Sequence, residues 1–319
     1  MLISASALSF DINPTGIYHC AQSNFRMCFV ETVSSRNLIL RPALLAIALL
    51  GASYMSVAQA APIWLERKFI PSSELVNSVF GQRDDQSEIT VDHAPWGRFL
   101  SDYVSVRDDG LHVVDYESVT DEHKAVLDLY ISRLGEVDVT KLNASEQLAY
   151  WINLYNAITV QLIIEQKPKS SIRDLKKPWT TPKVRVNGVD LTLHNIESGI
   201  IRPVFNDPRI HYAVNCASVG CPNLALTPYT GARVEQMLDD SARAYVNHPR
   251  GVRVDGRRLV ASKIYGWYRE DFGDGVPAVL SHIRKYANED LLKRLAGKDS
   301  ISDYYYDWKL NNPGARPAR

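Results

Sequence analysis

The sequence predicts an α+β fold, a single compact domain in which helices pack on a small mixed or antiparallel sheet that includes two β-hairpins. Several segments carry apolar residues at steps of three and four, which indicates amphipathic helices. Two pairs of short β-type segments flank an Asn-Gly and an Asp-Gly dipeptide, which are strong hairpin signals. Because the predicted helices and strands follow one another in mixed order, α+β fits better than a doubly wound sheet.

The first 60 residues are predicted to be a leader with a secretory signal peptide at about residues 36–60. Arg36 and Arg41 precede an apolar run over residues 43–50, and an Ala-x-Ala site ends at Ala60. A positive flank, a short apolar segment and small residues at a cleavage site are the parts of such a peptide. A bilayer span needs roughly 20 apolar residues, so we expect cleavage after Ala60, a periplasmic or secreted protein, and no membrane span after cleavage.

Charge and composition limit the classes of partner. The chain has 36 Lys and Arg residues against 36 Asp and Glu residues, and a nucleic-acid partner would require a basic stripe. We therefore expect no nucleic acid. Beyond the leader we predict an N-terminal extension or linker over 61–91, the main domain over 92–312 and a disordered tail over 313–319.

In the first half of the main domain the longest predicted helix covers residues 144–166. Asn143 is a good N-cap for it, and Glu146 has the position of a capping-box acid. Because apolar residues occupy nearly its whole circumference, we expect this helix to be buried. The other elements predicted here are helices at 93–104 and 120–134 and a strand at 110–116.

In the second half a hairpin is predicted at 184–193 around Asn187-Gly188, and a second at 252–261 around Asp255-Gly256. Arg257 and Arg258 are expected to lengthen the second loop. Residues 210–215 are apolar at nearly every position, which favours a strand covered on both faces. The remaining predictions are helices at 196–204, 230–247, 264–272 and 276–295 and a final strand at 304–310.

Cys216 and Cys221 follow the predicted strand at 210–215 and are the cysteines left after loss of the leader. Outside the cytoplasm such a pair is commonly a disulfide, and the spacing permits one. On a strand, His211 and Cys216 would point to opposite faces. Cys221 could swing back toward His211 through the turn between the cysteines.

A reactive thiol needs a base within hydrogen-bond reach, a lowered pKa and a group that orients the base. Several candidate residues also have a purely structural interpretation. Glu146 could cap its own helix, and Asn153 and Asn156 could tie neighbouring loops together. Arg202 and Arg209 could pair with Glu197 or Asp271. The candidates are Cys216 or Cys221 as nucleophile, His211 or His194 as base, Glu146 or Asn153 as orienting group, and Asn156, Arg202 and Arg209 as substrate-binding residues.

Several long motifs resemble the family called domain of unknown function 547, in its bacterial, exported branch. The resemblance covers about residues 92–312 and implies no particular activity, because the family's function is unassigned. One position departs from the family pattern: Ser198 stands where we expect a histidine after Ile196-Glu197, and His194 could take that role. The motifs are EQLAYWINLYNA at 146–157, the segments 193–202, 207–222 and 262–272, and YDWKLN at 306–311.

The function that these residues favour is a thiol-dependent hydrolase or acyl transferase that acts on an amide or ester, in a small molecule or peptide of the cell envelope. The alternative is a non-catalytic envelope binding or scaffold protein with a structural Cys216–Cys221 disulfide. Thiol–disulfide exchange is less favoured because four residues separate the cysteines, rather than two. We expect no cofactor and no metal, since two cysteines and one histidine lack a fourth zinc ligand.

Overall fold

The computed structural model describes residues 62–315. The leader, the signal peptide and its cleavage site lie outside these residues, as does the end of the predicted tail. The described part has an α+β fold in which helices predominate and the sheets are small. Within it, no helix is both long enough and apolar enough to cross a membrane.

Helices form most of the described chain, and several short 3₁₀ turns connect them. One π-helical turn, Glu197–Ile201, joins α5 to α6. The α-helices are α1 (Ile63–Glu66), α2 (Ala94–Tyr103), α3 (Asp121–Gly135), α4 (Ala144–Gln166), α5 (Leu193–Ile196), α6 (Arg202–Phe205), α7 (Val234–Val246), α8 (Ile264–Trp267), α9 (Gly275–Tyr286) and α10 (Glu289–Leu295).

The strands form two separate antiparallel pairs and one three-stranded sheet. In the three-stranded sheet β5 and β6 pair antiparallel, and β7 adds to β6 in parallel, so this sheet is mixed. The strands are β1 (Val104–Val106), β2 (His112–Val114), β3 (Val184–Val186), β4 (Val189–Leu191), β5 (Val252–Asp255), β6 (Arg258–Ser262) and β7 (Asp303–Tyr305).

Helix α4 lies at the centre of the larger of two main apolar clusters in the described chain. The Asn143 side chain accepts a hydrogen bond from the Glu146 amide (3.0 Å), which caps the helix as predicted. The helix ends at Gln166, its C-cap residue Lys167 has a left-handed φ of 45°, and Pro168 cannot continue it. Buried apolar side chains surround α4, as its nearly uniform apolar circumference predicted. The second cluster joins α7 and α9 to β5 and β6.

The predicted strand at 210–215 is wrong, because Pro208–Tyr212 forms a 3₁₀ helix. Asp207 caps this helix by accepting the Arg209 amide (2.8 Å). Pro208 occupies its first turn, where a fixed φ favours helical geometry. A short apolar run that is buried on all sides carries no periodicity that separates helix from strand. His211 and the cysteines are therefore not related by strand alternation.

The second hairpin has a shorter loop than predicted. Asp255 pairs with Arg258 in the sheet register, which leaves a two-residue turn of Gly256 and Arg257. Gly256 has a φ of 58°, a value that glycine adopts without steric cost. The first hairpin is confirmed, with Val186 opposite Val189 across Asn187-Gly188.

Other boundaries differ from the predictions because local caps compete with apolar periodicity. The helix predicted at 196–204 begins at Leu193, since Thr192 caps it by accepting the Asn195 amide. The helix predicted at 276–295 is two helices, because Asn288 starts a new one. The helix predicted at 230–247 is shorter in the structure, as α7, and the helix predicted at 264–272 ends as a 3₁₀ turn. The strand predicted at 304–310 is shortened to β7, and β1 was not predicted.

Candidate active site

A cavity of about 330 Å³ opens beside the two cysteines. We call it the aromatic cavity, because aromatic rings form much of its wall. The predicted extension supplies part of the wall through Phe69–Pro71, and α4 supplies Tyr155. The other lining residues are Trp179, Thr180, His194, Glu197, Ser198, His211, Val214, Cys216, Cys221, Pro222, Ile264, Trp267, Tyr268, Tyr306 and Trp308.

The cysteine loop, residues 213–222, folds back so that its two thiols approach each other. Ala217 adopts a left-handed conformation with a φ of 59°, and the Cys221 amide donates to the Ser218 carbonyl (3.0 Å). This turn brings the Cys221 Sγ to 2.9 Å from the Cys216 amide, which donates a hydrogen bond to it. The two cysteines are not joined by a disulfide.

Asn156 fastens the start of the cysteine loop to α4. Its Nδ2 donates to the Ala213 carbonyl (2.9 Å), and its Oδ1 accepts from the Asn215 amide (2.8 Å). Asn215 in turn closes the loop, since its side chain donates to the Pro222 carbonyl (2.7 Å). The thiols are therefore held on a rigid turn that is anchored to the central helix.

Tyr306 contacts both thiols from the other side. Its hydroxyl lies 3.0 Å from the Sγ of Cys216 and 3.0 Å from the Sγ of Cys221. Backbone hydrogen bonds hold the two segments together, from the Val219 amide to the Lys309 carbonyl (2.8 Å) and from the Gly220 amide to the Asp307 carbonyl (2.8 Å). The tyrosine hydroxyl is thus fixed between the two sulfurs.

The pKa values of the two thiols move in opposite directions. Burial acts to raise the pKa of the Cys221 thiol, but hydrogen bonds from Cys216, Tyr306 and backbone amides outweigh burial and hold this pKa below its ordinary value. The hydrogen bond to Cys221, together with burial, raises the pKa of the Cys216 thiol well above its ordinary value. Of the two thiols, Cys221 is therefore the one that loses its proton more readily.

His211 forms a second polar group in the same cavity. Its Nε2 lies 2.7 Å from Oδ2 of Asp271, and its ring stacks on Tyr268 with the centroids 4.2 Å apart. Arg202 holds the same carboxylate through two hydrogen bonds of 2.5 and 2.9 Å. Burial opposes ionisation of Asp271, but His211 and Arg202 lower its pKa to about 2. The carboxylate therefore stays charged and orients the imidazole.

Glu197 lies in the π-helical turn and is the carboxylate that lines the cavity. The Tyr155 hydroxyl donates to its Oε2 (3.0 Å). His194 and Ser198 flank it in the cavity wall, and burial lowers the pKa of His194. The position where the family resemblance suggested a histidine thus faces the cavity, with His194 near it.

Residues 139–246 match the family model described as "Protein of unknown function, DUF547". This segment of the chain belongs to that family. The DUF547 segment includes α4, the π-helical turn, His211 and both cysteines of the cavity. It is shorter than the span of 92–312 over which the motifs resemble the family, and Asp271 and Tyr306 lie beyond it. No curated protein and no solved structure matches the chain.

Three of the predicted site residues lie in the DUF547 segment but do not line the cavity. Glu146 accepts the amides of Val91 and Gly231, both at 2.8 Å. Asn153 bonds both backbone groups of Tyr229 (2.8 and 3.0 Å). Arg209 forms ion pairs with Asp207, Glu235 and Asp239.

Arg202 and Asn156 support the site without lining it. Arg202 is buried against Asp271 and also bonds the Pro71 carbonyl (3.0 Å) and the Ser198 hydroxyl (3.3 Å). Of the predicted residues, the structure brings Cys216, Cys221, His211 and His194 together at the cavity. Within residues 62–315, no group of three or more His, Cys, Asp or Glu side chains is arranged to hold a metal ion.

The sequence analysis did not assign Asp271 or Tyr306 to the site. Asp271 was considered as an ion-pair partner of an arginine, and Tyr306 only as part of the motif at 306–311. Both are distant in sequence from the cysteine loop, so spacing does not reveal the contact. No local signal indicates the contact of Tyr306, since β7 ends at Tyr305 and strand alternation does not extend to position 306.

Proposed function

We propose that the aromatic cavity is the active site of a thiol-dependent hydrolase or acyl transferase, with Cys221 as the nucleophile. The observation that carries the proposal is a cavity-lining thiol whose pKa is lowered, in the same cavity as an imidazole held by a carboxylate. A thiolate is the reactive form of cysteine, and a nucleophile beside an oriented base is the usual arrangement for acyl transfer. Asp271 takes the orienting role that Glu146 and Asn153 were predicted to fill.

In this reaction His211 takes the thiol proton of Cys221 as the sulfur forms a bond to the substrate carbonyl carbon, and the electron pair of the carbonyl moves to its oxygen. Collapse of the tetrahedral intermediate breaks the carbon–oxygen or carbon–nitrogen bond, and the leaving group takes a proton from His211. Water or another acceptor then gives a proton to His211 and attacks the thioester carbonyl, the carbon–sulfur bond breaks, and the Cys221 sulfur takes that proton back as the acyl product leaves. Because Asp271 bonds Nε2, we assign the proton transfers to Nδ1 of the imidazole.

The lining of the cavity favours an apolar acyl group. Its wall consists mainly of aromatic and aliphatic side chains, and no Lys or Arg is among the residues that line it in the described chain. An anionic group would be desolvated there without a cationic partner, which is costly. The proposed substrate is therefore an ester or amide with a neutral, apolar or aromatic acyl part, of a size that fits about 330 Å³.

A direct test is acylation by activated esters. The full chain would be incubated with p-nitrophenyl esters of increasing acyl length, and the modified cysteine would be located by peptide mass spectrometry. We expect a thioester on Cys221 in the wild type and in Cys216→Ser, and none at that position in Cys221→Ser. Acylation confined to Cys216, or absent with every ester, would contradict the proposal.

We also propose that the protein acts in the cell envelope of a bacterium, as an exported member of the family. The support is the sequence pattern before Ala61, with a positive flank, a short apolar run and an Ala-x-Ala site. Amino-terminal sequencing of the protein from fractionated cells tests this. We expect a periplasmic or secreted chain that begins at Ala61, and a cytoplasmic chain that keeps the segment 36–60 would contradict it.

One observation favours the alternative of a binding or scaffold protein with a disulfide, since both sulfurs lie within 3.0 Å of one hydroxyl. Two thiols so close together could be oxidised to a bridge. Counting free thiols in the exported protein before and after reduction separates the two functions. Two free thiols per mature chain favour acyl transfer, whereas none before reduction and two after it favour the structural role.

A further inference from the structure

We propose that Tyr306 is a further catalytic residue of this site, whose hydroxyl contacts both sulfurs and donates a hydrogen bond to the sulfur of Cys221. The catalytic role of Tyr306 rests on the proposed function, but its hydrogen bond to Cys221 can be tested without turnover. Tyr306 lies outside the segment that matches the family model. It contacts the sulfur that we assign as the reacting atom.

The positions of the three groups determine the direction of the hydrogen bonds. The Tyr306 hydroxyl is 3.0 Å from each sulfur and has one proton to donate. The Cys221 sulfur already accepts the Cys216 amide (2.9 Å), whereas the Cys216 sulfur donates to the Ser218 hydroxyl (3.6 Å), so we assign the tyrosine proton to Cys221. Burial and the adjacent thiols raise the pKa of Tyr306 well above its ordinary value, so the phenol keeps its proton and remains a donor.

The surroundings of Tyr306 hold the ring in this position. Trp267 and Trp308 pack against it with centroids 4.9 and 4.7 Å away. On the side of the cysteine loop, Gly220 leaves room for the ring. A Cβ at Gly220 would lie 2.9 Å from Cγ of Tyr306 and 2.8 Å from the Asp307 amide nitrogen. A side chain at this position would push the hydroxyl away from the sulfurs.

Two buried tyrosines elsewhere in the described chain bond the backbone. The Tyr150 hydroxyl donates to the Leu134 carbonyl (2.8 Å), and the Tyr245 hydroxyl donates to the Gly220 carbonyl (2.7 Å). Each satisfies a backbone acceptor, which is the common fate of a buried hydroxyl. The hydrogen bonds of the Tyr306 hydroxyl within the described chain go instead to the two thiols at the cavity wall.

The experiment measures the alkylation rate of Cys221 by iodoacetamide against pH, resolved by peptide mass spectrometry, in the full chain. The variant is Tyr306→Phe, which keeps the ring, and the matched control is Tyr305→Phe, an exposed neighbour on β7. A hydrogen bond to a charged group is worth enough to shift a pKa by about one unit. We expect the midpoint of the Cys221 profile to rise by about one pH unit in Tyr306→Phe and to stay unchanged in Tyr305→Phe.

A second substitution keeps the test decisive if Tyr306→Phe does not fold. A difluorotyrosine at position 306 has nearly the same shape and a more acidic hydroxyl, so it donates more strongly and the midpoint should fall. An unchanged midpoint in the variant that folds, or a shift in the direction opposite to that expected for it, would overturn the assignment. If the midpoint shifts but no acyl ester labels Cys221, the tyrosine interaction stands and the acyl-transfer proposal fails. If an acyl ester labels Cys221 but the midpoint does not shift, the acyl-transfer proposal stands and the assignment of Tyr306 fails.

Discussion

Two sets of buried polar side chains lie around α4, and they differ in what they bond. Glu146, Asn153 and Asn156 bond backbone groups of the segments around them. At the cavity, His211 bonds Asp271 and Cys221 bonds Tyr306, so side chains bond side chains. The first arrangement fastens loops to the helix, and the second couples groups that can exchange protons.

The physical difference is that a backbone amide cannot titrate. A carboxylate or carboxamide that is saturated by amides has a constant partner and no capacity left for a ligand. A thiol, a phenol and an imidazole can each lose or gain a proton, so their hydrogen bonds change with the charge of the partner. Side-chain type alone does not reveal this distinction, because both sets are polar and buried.

The largest effect that we expect on this comparison is loss of stability in Glu146→Ala, because the amides of Val91 and Gly231 lose a charged acceptor. Two such bonds predict a loss of about 3 kcal/mol in the free energy of unfolding, measured by urea denaturation. The control is Glu165→Ala, at the exposed end of the same helix, with a change within about 0.5 kcal/mol. The Cys221 alkylation midpoint should not move, and a shifted midpoint with unchanged stability would break the comparison.

Asn153 and Asn156 form a matched pair that sharpens the comparison between the loop-fastening side chains and the cavity. Each bonds one carbonyl and one amide, but Asn156 holds the start of the cysteine loop whereas Asn153 holds Tyr229. Substitution of either by Ala should lower the free energy of unfolding by about 2 kcal/mol. The Cys221 alkylation profile should change only in Asn156→Ala. Equal profiles in the two variants would show that the loop keeps its geometry without this anchor.

At the cavity, the free energy of unfolding should depend on pH through Asp271, with an effect similar to or smaller than those above. Its pKa falls from 3.8 to about 2 on folding, so its stabilising effect is complete above the unfolded value and is lost as the pH falls through the folded value. This predicts a loss of about 2 kcal/mol between about pH 4 and pH 2. Urea denaturation across this range should give a shallower pH slope for Asp271→Asn than for the wild type. Equal pH slopes in the wild type and in Asp271→Asn would contradict a stabilising interaction of this carboxylate with His211 and Arg202.

Local sequence patterns predicted much of the fold. The helix 144–166 and the turn at Asn187-Gly188 were predicted correctly, because capping and turn geometry depend on residues only a few positions apart. The segment 210–215 was predicted wrongly, since burial on every side removes the periodicity that separates helix from strand. The Glu146 side chain bonds amides distant in sequence rather than the cap residue, which no local rule indicates.

The sequence by itself determined most of the elements, the class of fold and the residue types that could react, because these depend on local geometry and side-chain chemistry. Only the tertiary structure decided which polar groups share a cavity. Asp271 follows His211 by 60 residues and Tyr306 follows Cys221 by 85. The approach of such groups depends on how whole segments pack, and packing is set by the summed burial of many side chains rather than by any spacing in the chain.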